Sequence, residues 1–182
     1  MQGGLFEEHA PVPAARQEAD PHGDVIAVDV RGGERRGGAR FGELVHAMLA
    51  AAPLDADRPA LAALAEVLGR IVAAPADEIA AAVDTVERVL AHDLLALARA
   101  AAARGACRRE TPVTGTLASG VVVEGVVDLA FEADGRWTVV DYKTDRELAA
   151  AGEDRYRRQV AFYASAIAQA TGLPAHGVLI WV

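Results

Sequence analysis

VVEGVVDLAFEADGRWTVVDYKTD (residues 122–145) is an apolar hairpin with two aspartates and a lysine set inside its hydrophobic runs. Asp134-Gly135 between the two halves is the signal for a two-residue type I′ turn. That turn pairs Ala133 with Arg136, and the same register puts Asp128 opposite Asp141, with Cβ atoms roughly 4.5–5.5 Å apart. Lys143 lies two residues beyond Asp141 and so on the same face. Two ionised carboxylates at about 5 Å repel by roughly 3 kcal/mol at an effective dielectric near 20. Something positive is needed between them, and two carboxylates at this spacing suit a hard cation, Mg²⁺ or Mn²⁺. A neighbouring ammonium can orient or activate a water and stabilise charge on a phosphate. Val123, Val127, Leu129, Val140 and Tyr142 are expected to pack while the acids point into a cleft. The other reading is an exposed hairpin face on which Asp128, Asp141 and Lys143 form a solvated ion-pair triad, and Glu124 and Glu132 fit that reading.

The composition sharpens the choice. Seventeen of the 18 basic residues are arginine, and Lys143 is the single lysine of the 182-residue chain. Arginine is planar and does not shed its proton, so a lone lysine beside an aspartate points to a need for an amine. The net charge of −8 argues against a basic stand-alone nucleic-acid binder. The charge is unevenly spread, however. RGGERRGGAR (31–40) carries four arginines against one glutamate, and RYRR (155–158) carries three. The arginines at 31, 35, 36 and 40 suit phosphate contacts or loose unstructured charge equally well. One cysteine, Cys107, excludes an internal disulfide, a four-cysteine zinc site and an iron–sulfur cluster. No apolar run is long enough to span a membrane, and the acidic, Pro/Gly-rich N-terminus is unlike a signal peptide, so the expected location is cytoplasmic.

Outward from the hairpin, the length suits one domain with a real core. Residues 1–36 are expected as a flexible arm or linker, with DVIAVDV (24–30) a short strand or extended segment, and residues 37–182 as the folded unit. FGELVHAMLAAA (41–52) reads as a helix with Leu44, Val45, Met48 and Leu49 as its apolar stripe. A second helix covers 58–74. A long third one is expected over 75–105, its core face Ile79, Val83, Val86, Leu90, Leu94, Leu97 and Ala101. Strands follow at 107–117, 120–133 and 136–144, then a helix at 155–172 and a final buried strand, HGVLIWV. This order implies an α/β domain, a mixed β-sheet flanked by helices with an N-terminal helical segment.

At this point the residues resemble a known family. GVVD (125–128), a turn and VVDYKTD (139–145) are similar to the bipartite core of the PD-(D/E)xK nuclease superfamily, an acid on one strand and acid-x-lysine on the next. The resemblance is to its RecB-like branch, the AddA-type C-terminal nuclease domain of a UvrD-type helicase–nuclease. RFGELVHAML (40–49) resembles that branch's early helix, which carries a histidine after a glycine, here His46. The Gln-x-x-x-Tyr helix is matched by Gln159 and Tyr163, and RRETPV (108–113) resembles the strand before the core. Four weak motifs in the right order make a specific signal over roughly 37–182.

The resemblance implies a restriction-endonuclease-like core and a Mg²⁺-dependent deoxyribonuclease, with Mn²⁺ substituting. Asp128, Asp141 and Lys143 would be catalytic. The metal would be held by His46, Asp128, Asp141 and the Tyr142 carbonyl. Gln159, Tyr163, Arg155 and Arg158 would meet DNA, although each arginine alone also suits a solvated helix face. His46 alone reads equally as a packed core histidine, and Tyr163 as a core aromatic. There is no GxxxxGK[ST] motif, so a helicase motor would sit elsewhere in the parent chain or on a partner subunit. The expected activity is exonucleolytic cleavage of single-stranded DNA ends in double-strand-break repair or recombination. The alternatives are a catalytically silent DNA-binding or protein-docking module with the same fold and, more distantly, a hydrolase of small phosphorylated substrates.

Overall fold

The computed structural model describes residues 25–32, 38–116, 120, 122–144 and 150–182. Arg35, Arg36, Asp145 and residues 1–24 of the expected arm lie outside the described residues. Along the chain come β1 (Val25–Asp29), α1 (Ala39–Ala51), α2 (Arg58–Ile71), α3 (Ala76–Ala91) and α4 (Asp93–Ala103). These are followed by β2 (Cys107–Thr116), β3 (Val122–Ala133), β4 (Arg136–Lys143), α5 (Ala150–Thr171) and β5 (Ala175–Trp181). The strands form one mixed sheet in the order β1-β5-β4-β3-β2. β1 and β4 flank β5 in parallel, while β2, β3 and β4 form an antiparallel meander.

The sheet separates two apolar layers. Helices α1–α4 cover one face through Leu44, Val45, Met48, Val86 and Leu95, packed on Leu129, Phe131, Val140, Tyr142 and Ile180. α5 covers the other face, with Tyr163, Ala164 and Ile167 on Val113, Val127, Ala130 and Val139. Each layer follows from periodicity: the α1 stripe 44, 45, 48, 49 is buried throughout, as one helical face requires. β1 falls inside the segment expected as an arm, yet it hydrogen-bonds along β5 from Val25–Gly177 to Asp29–Trp181.

The expected single helix over 75–105 is two helices. His92 takes an extended conformation (φ −69°, ψ 143°), and its Nδ1 accepts the Leu94 N–H at 3.2 Å to start α4. The break resets the helical phase. Leu95, Ala98 and Ala101 are buried after it, while Leu97, expected in the core, is 51% exposed. The carbonyl of Leu90 freed by the break is taken by Arg99 Nη1 at 2.7 Å, which also reaches the Leu54 carbonyl at 3.2 Å.

The hairpin forms in the expected register, Ala133–Arg136 through Leu129–Val140. Asp134 (φ 53°) and Gly135 (φ 75°) both adopt the left-handed conformation of a type I′ turn. The expected Asp128–Asp141 rung is not part of the ladder. β4 pairs with β5 along its length, from Trp137–Ala175 to Lys143–Trp181, and beyond Val140 that pairing continues without β3, Asp141 opposite Leu179. The faces also depart from simple alternation. Val127 packs under α5 and Leu129 under α1–α4, so β3 changes phase at Asp128. β2 changes phase at the same level: Cys107 lies against the α1–α4 layer and Val113 against α5. Between them Glu110 has φ 44°, and the β2–β3 ladder skips the Glu110–Asp128 rung.

Candidate metal and nucleic-acid site

The site lies where β3 and β4 part. The residue that ends their pairing, Asp128, turns its side chain onto the neighbouring backbone: Oδ2 accepts the Tyr142 N–H at 2.8 Å. α1 brings His46 to the same carboxylate, Nδ1 at 3.9 Å from Asp128 Oδ2. The His46 ring stands edge-on to Tyr142, centroids 6.4 Å apart. α1 approaches this closely because Gly42 has no side chain. A Cβ there would lie 2.5 Å from Thr144 Oγ1.

Asp141 and Lys143 share one side of β4, as alternation requires, and Lys143 Nζ lies 2.6 Å from Asp141 Oδ2. Their side chains are 16% and 5% exposed for Lys143 and Asp141, so this is an inner ion pair rather than a solvated surface triad. Asp141 Oδ2 accepts no hydrogen bond of regular geometry despite the adjacent ammonium. At 2.6 Å the two charges form an ion pair whose angles fall outside hydrogen-bond geometry.

The electrostatics follow from this crowding. Burial first, and then the Asp141 charge, push the Asp128 carboxyl up from its ordinary 3.8 to about 7, against the Tyr142 N–H and Lys143. Burial and then Lys143 lower His46, so the imidazole favours its neutral, lone-pair-bearing form. A carboxylate destabilised by burial and by a second carboxylate gains from a bound proton or cation. Two carboxylates, one with an orphaned buried oxygen, and a neutral imidazole are a donor set that fits a hard divalent cation. Among the described residues, no set of three or more His, Cys, Asp or Glu side chains stands close enough to hold a metal ion as placed. The cation seated at Asp141 is Lys143.

α5 lies on the sheet face opposite α1. Gln159 Nε2 donates to Tyr163 Oη at 2.7 Å, as i and i+4 residues on one helical face can. Tyr163 packs against Gly125, where a Cβ would collide with the phenol ring. Gln159 and Tyr163 are thus tied to each other and to β3, and Tyr163 is buried. Arg155 and Arg158 are exposed on the same helix. Arg157 between them is structural, donating to the Val25 carbonyl at 2.8 Å and to Glu153 at 2.9 Å. Of the loop arginines, Arg40 is paired bidentately with Glu78 at 2.9 and 2.7 Å, and Arg31 with Asp29.

Three residues join the site that sequence reasoning did not select. Glu110, opposite Asp128 at the skipped rung, is near enough for its charge to raise both Asp128 and His46. Its strained φ is a tertiary effect without a local sequence signal. Tyr156 lies with its ring 4.5 Å from Lys143 Nζ. Trp181 stands edge-on to Tyr156 at 6.3 Å. Tyr156 could have been found, since 156, 159 and 163 follow the i, i+3, i+7 spacing of one helix face.

Residues 27–181 match the family model of the PD-(D/E)XK nuclease superfamily. Comparison with curated proteins yields no match.

Proposed function

The chain belongs to the PD-(D/E)XK nuclease superfamily, whose members are typically metal-dependent nucleases, and we propose that it hydrolyses DNA phosphodiester bonds from single-stranded ends. The observation that carries this reading is the Asp141–Lys143 pair at 2.6 Å, with Asp141 near enough to raise Asp128, an acid, acid-x-lysine set within the matched family region. Asp128, Asp141 and His46, with the Tyr142 carbonyl, would hold Mg²⁺ or Mn²⁺. When bound, such an ion supplies charge stabilisation to the phosphate and lowers the pKa of a coordinated water. Lys143 orients the attacking water and faces the negative charge that develops as the P–O bond breaks. Neutral His46 offers a lone pair without adding positive charge. Gln159, held by Tyr163, steadies the nucleic-acid backbone, and the exposed Arg155 and Arg158 contact phosphates.

The resemblance of the His46, Asp128, Asp141–Lys143 and Gln159–Tyr163 motifs to RecB- and AddA-type domains supports a place beside a helicase motor, in the same parent chain or on a partner, in cytoplasmic double-strand-break repair. The net charge of −8 agrees with a domain that receives its strand from such a motor. No helix among the described residues is long and apolar enough to cross a membrane. A catalytically silent DNA-binding or docking module is the second reading. A Lys143–Asp141 pair closed on itself favours it, but retention of Asp128, Asp141 and Lys143 together weighs against it. The test is digestion, with Mg²⁺, of a linear single strand and a closed circle of the same sequence. The linear strand is consumed and the circle survives. Cutting of the circle at the same rate contradicts end-dependence, and survival of both favours the silent module.

A further inference from the structure

Lysine carries four rotatable bonds, and one ion pair does not fix where its ammonium points. In this protein a second contact does so. The ammonium of Lys143 touches the Asp141 carboxylate at 2.6 Å on one side and lies over the Tyr156 ring, 4.5 Å from its centroid, on the other. The ring is itself braced. Trp181 meets it edge-on at 6.3 Å, and Trp181 is the register partner of Lys143 across β4 and β5. Arg31, held by Asp29, in turn lies 5.9 Å over Trp181. Ring and ammonium are thus anchored to the same rung of the sheet, one through α5 and one through β4.

We propose that Tyr156, braced by Trp181, is a positioning residue that fixes the Lys143 ammonium against Asp141. The proposal rests on the nuclease reading of the site given above. The ring's negative face attracts a cation most strongly where water is largely excluded, as it is around a lysine side chain only 16% exposed. A role for Tyr156 as a stacking platform for a nucleobase is less favoured, because the ring face toward the site is already covered by the ammonium.

Because Lys143 is the single lysine, two readouts separate the parts of this claim. Lysine labelled with ¹³C and ¹⁵N gives one side-chain signal set in the full chain. Its ε-methylene protons are shifted upfield by the ring in wild type and in Tyr156→Phe, and return to the free-lysine position in Tyr156→Leu. In Mg²⁺-dependent cleavage of single-stranded DNA, Tyr156→Leu loses about tenfold in kcat with KM unchanged, and Tyr156→Phe keeps wild-type rates. A Tyr156→Leu enzyme with unaltered kcat overturns the proposal. So does a raised KM with intact kcat, which identifies a nucleic-acid contact, or an equal loss in Tyr156→Phe, which identifies a role for the hydroxyl. Should the wild type cut no DNA, the nuclease reading fails, and the lysine signal alone decides: an unshifted signal in wild type means the ring does not hold the ammonium.

Discussion

Asp128 is the residue at which this chain gives up stability for a site. Its carboxyl is raised from 3.8 to about 7 by burial and then by Asp141. A carboxyl whose pKa is higher in the folded state than in the unfolded state binds more protons when folded. It therefore leaves stability intact below about pH 4, lowers it progressively as pH rises toward 7, and keeps it lowered above. Asp128→Asn removes that cost, because an amide oxygen can still accept the Tyr142 N–H. The variant is expected to melt with the wild type at pH 4 and to exceed it by up to about 4 kcal/mol, seen as a higher Tm, at pH 8 without metal. Mn²⁺ raises the Tm of the wild type and not of the variant. Calorimetric melts across this pH range check both statements, and a variant less stable than wild type at pH 8 contradicts them. At this scale the sequence was readable where the chemistry is local. The Asp-Gly turn set the register, and acid-x-lysine set the shared side of Asp141 and Lys143. Glu110 was not readable, because its φ of 44° is imposed by a phase change shared with β3.

Elements meet here through missing side chains. α1 reaches Thr144 across Gly42, α5 reaches β5 across Gly177, where a Cβ would lie 2.5 Å from Val160 Cγ1, and Tyr163 fills the space above Gly125. Gly125→Ala places a methyl group against the buried phenol, which cannot swing away without losing its bond from Gln159. The expected cost is about 1–3 kcal/mol in denaturant unfolding. Combining it with Tyr163→Leu costs less than the sum of the single changes, since the smaller side chain relieves the collision. Additive losses contradict the contact. Helix existence was legible from spacing in α1, α2 and α5, because each buries a single face, α2 against α1 and α3 and α5 against the sheet. The α3–α4 break was not, because the apolar spacing runs through His92 without interruption and only the His92 cap and the Arg99 bonds reveal it.

Across the whole molecule, the order of elements implied a mixed sheet flanked by helices, and the structure has that sheet. The sequence did not reveal that β5 sits between β1 and β4, since a parallel strand fully covered on both faces carries no mark of its neighbours. That insertion matters for the site. It holds β4 on its far side where the pairing with β3 ends at Val140, and it places Trp181 beside Lys143. The acids, the lysine and, through Tyr156, helix α5 come together in this topology, and their common purpose is tested by one substitution. The measurement is degradation of end-labelled single-stranded DNA by wild type and Lys143→Ala, with Mg²⁺ or Mn²⁺ and with chelator. Metal-dependent cleavage by the wild type, reduced about a hundredfold or more in Lys143→Ala, is the predicted result. Cleavage that survives the chelator, or a Lys143→Ala protein that cuts at the wild-type rate, would contradict a metal-dependent nuclease site built on Asp128, Asp141 and Lys143.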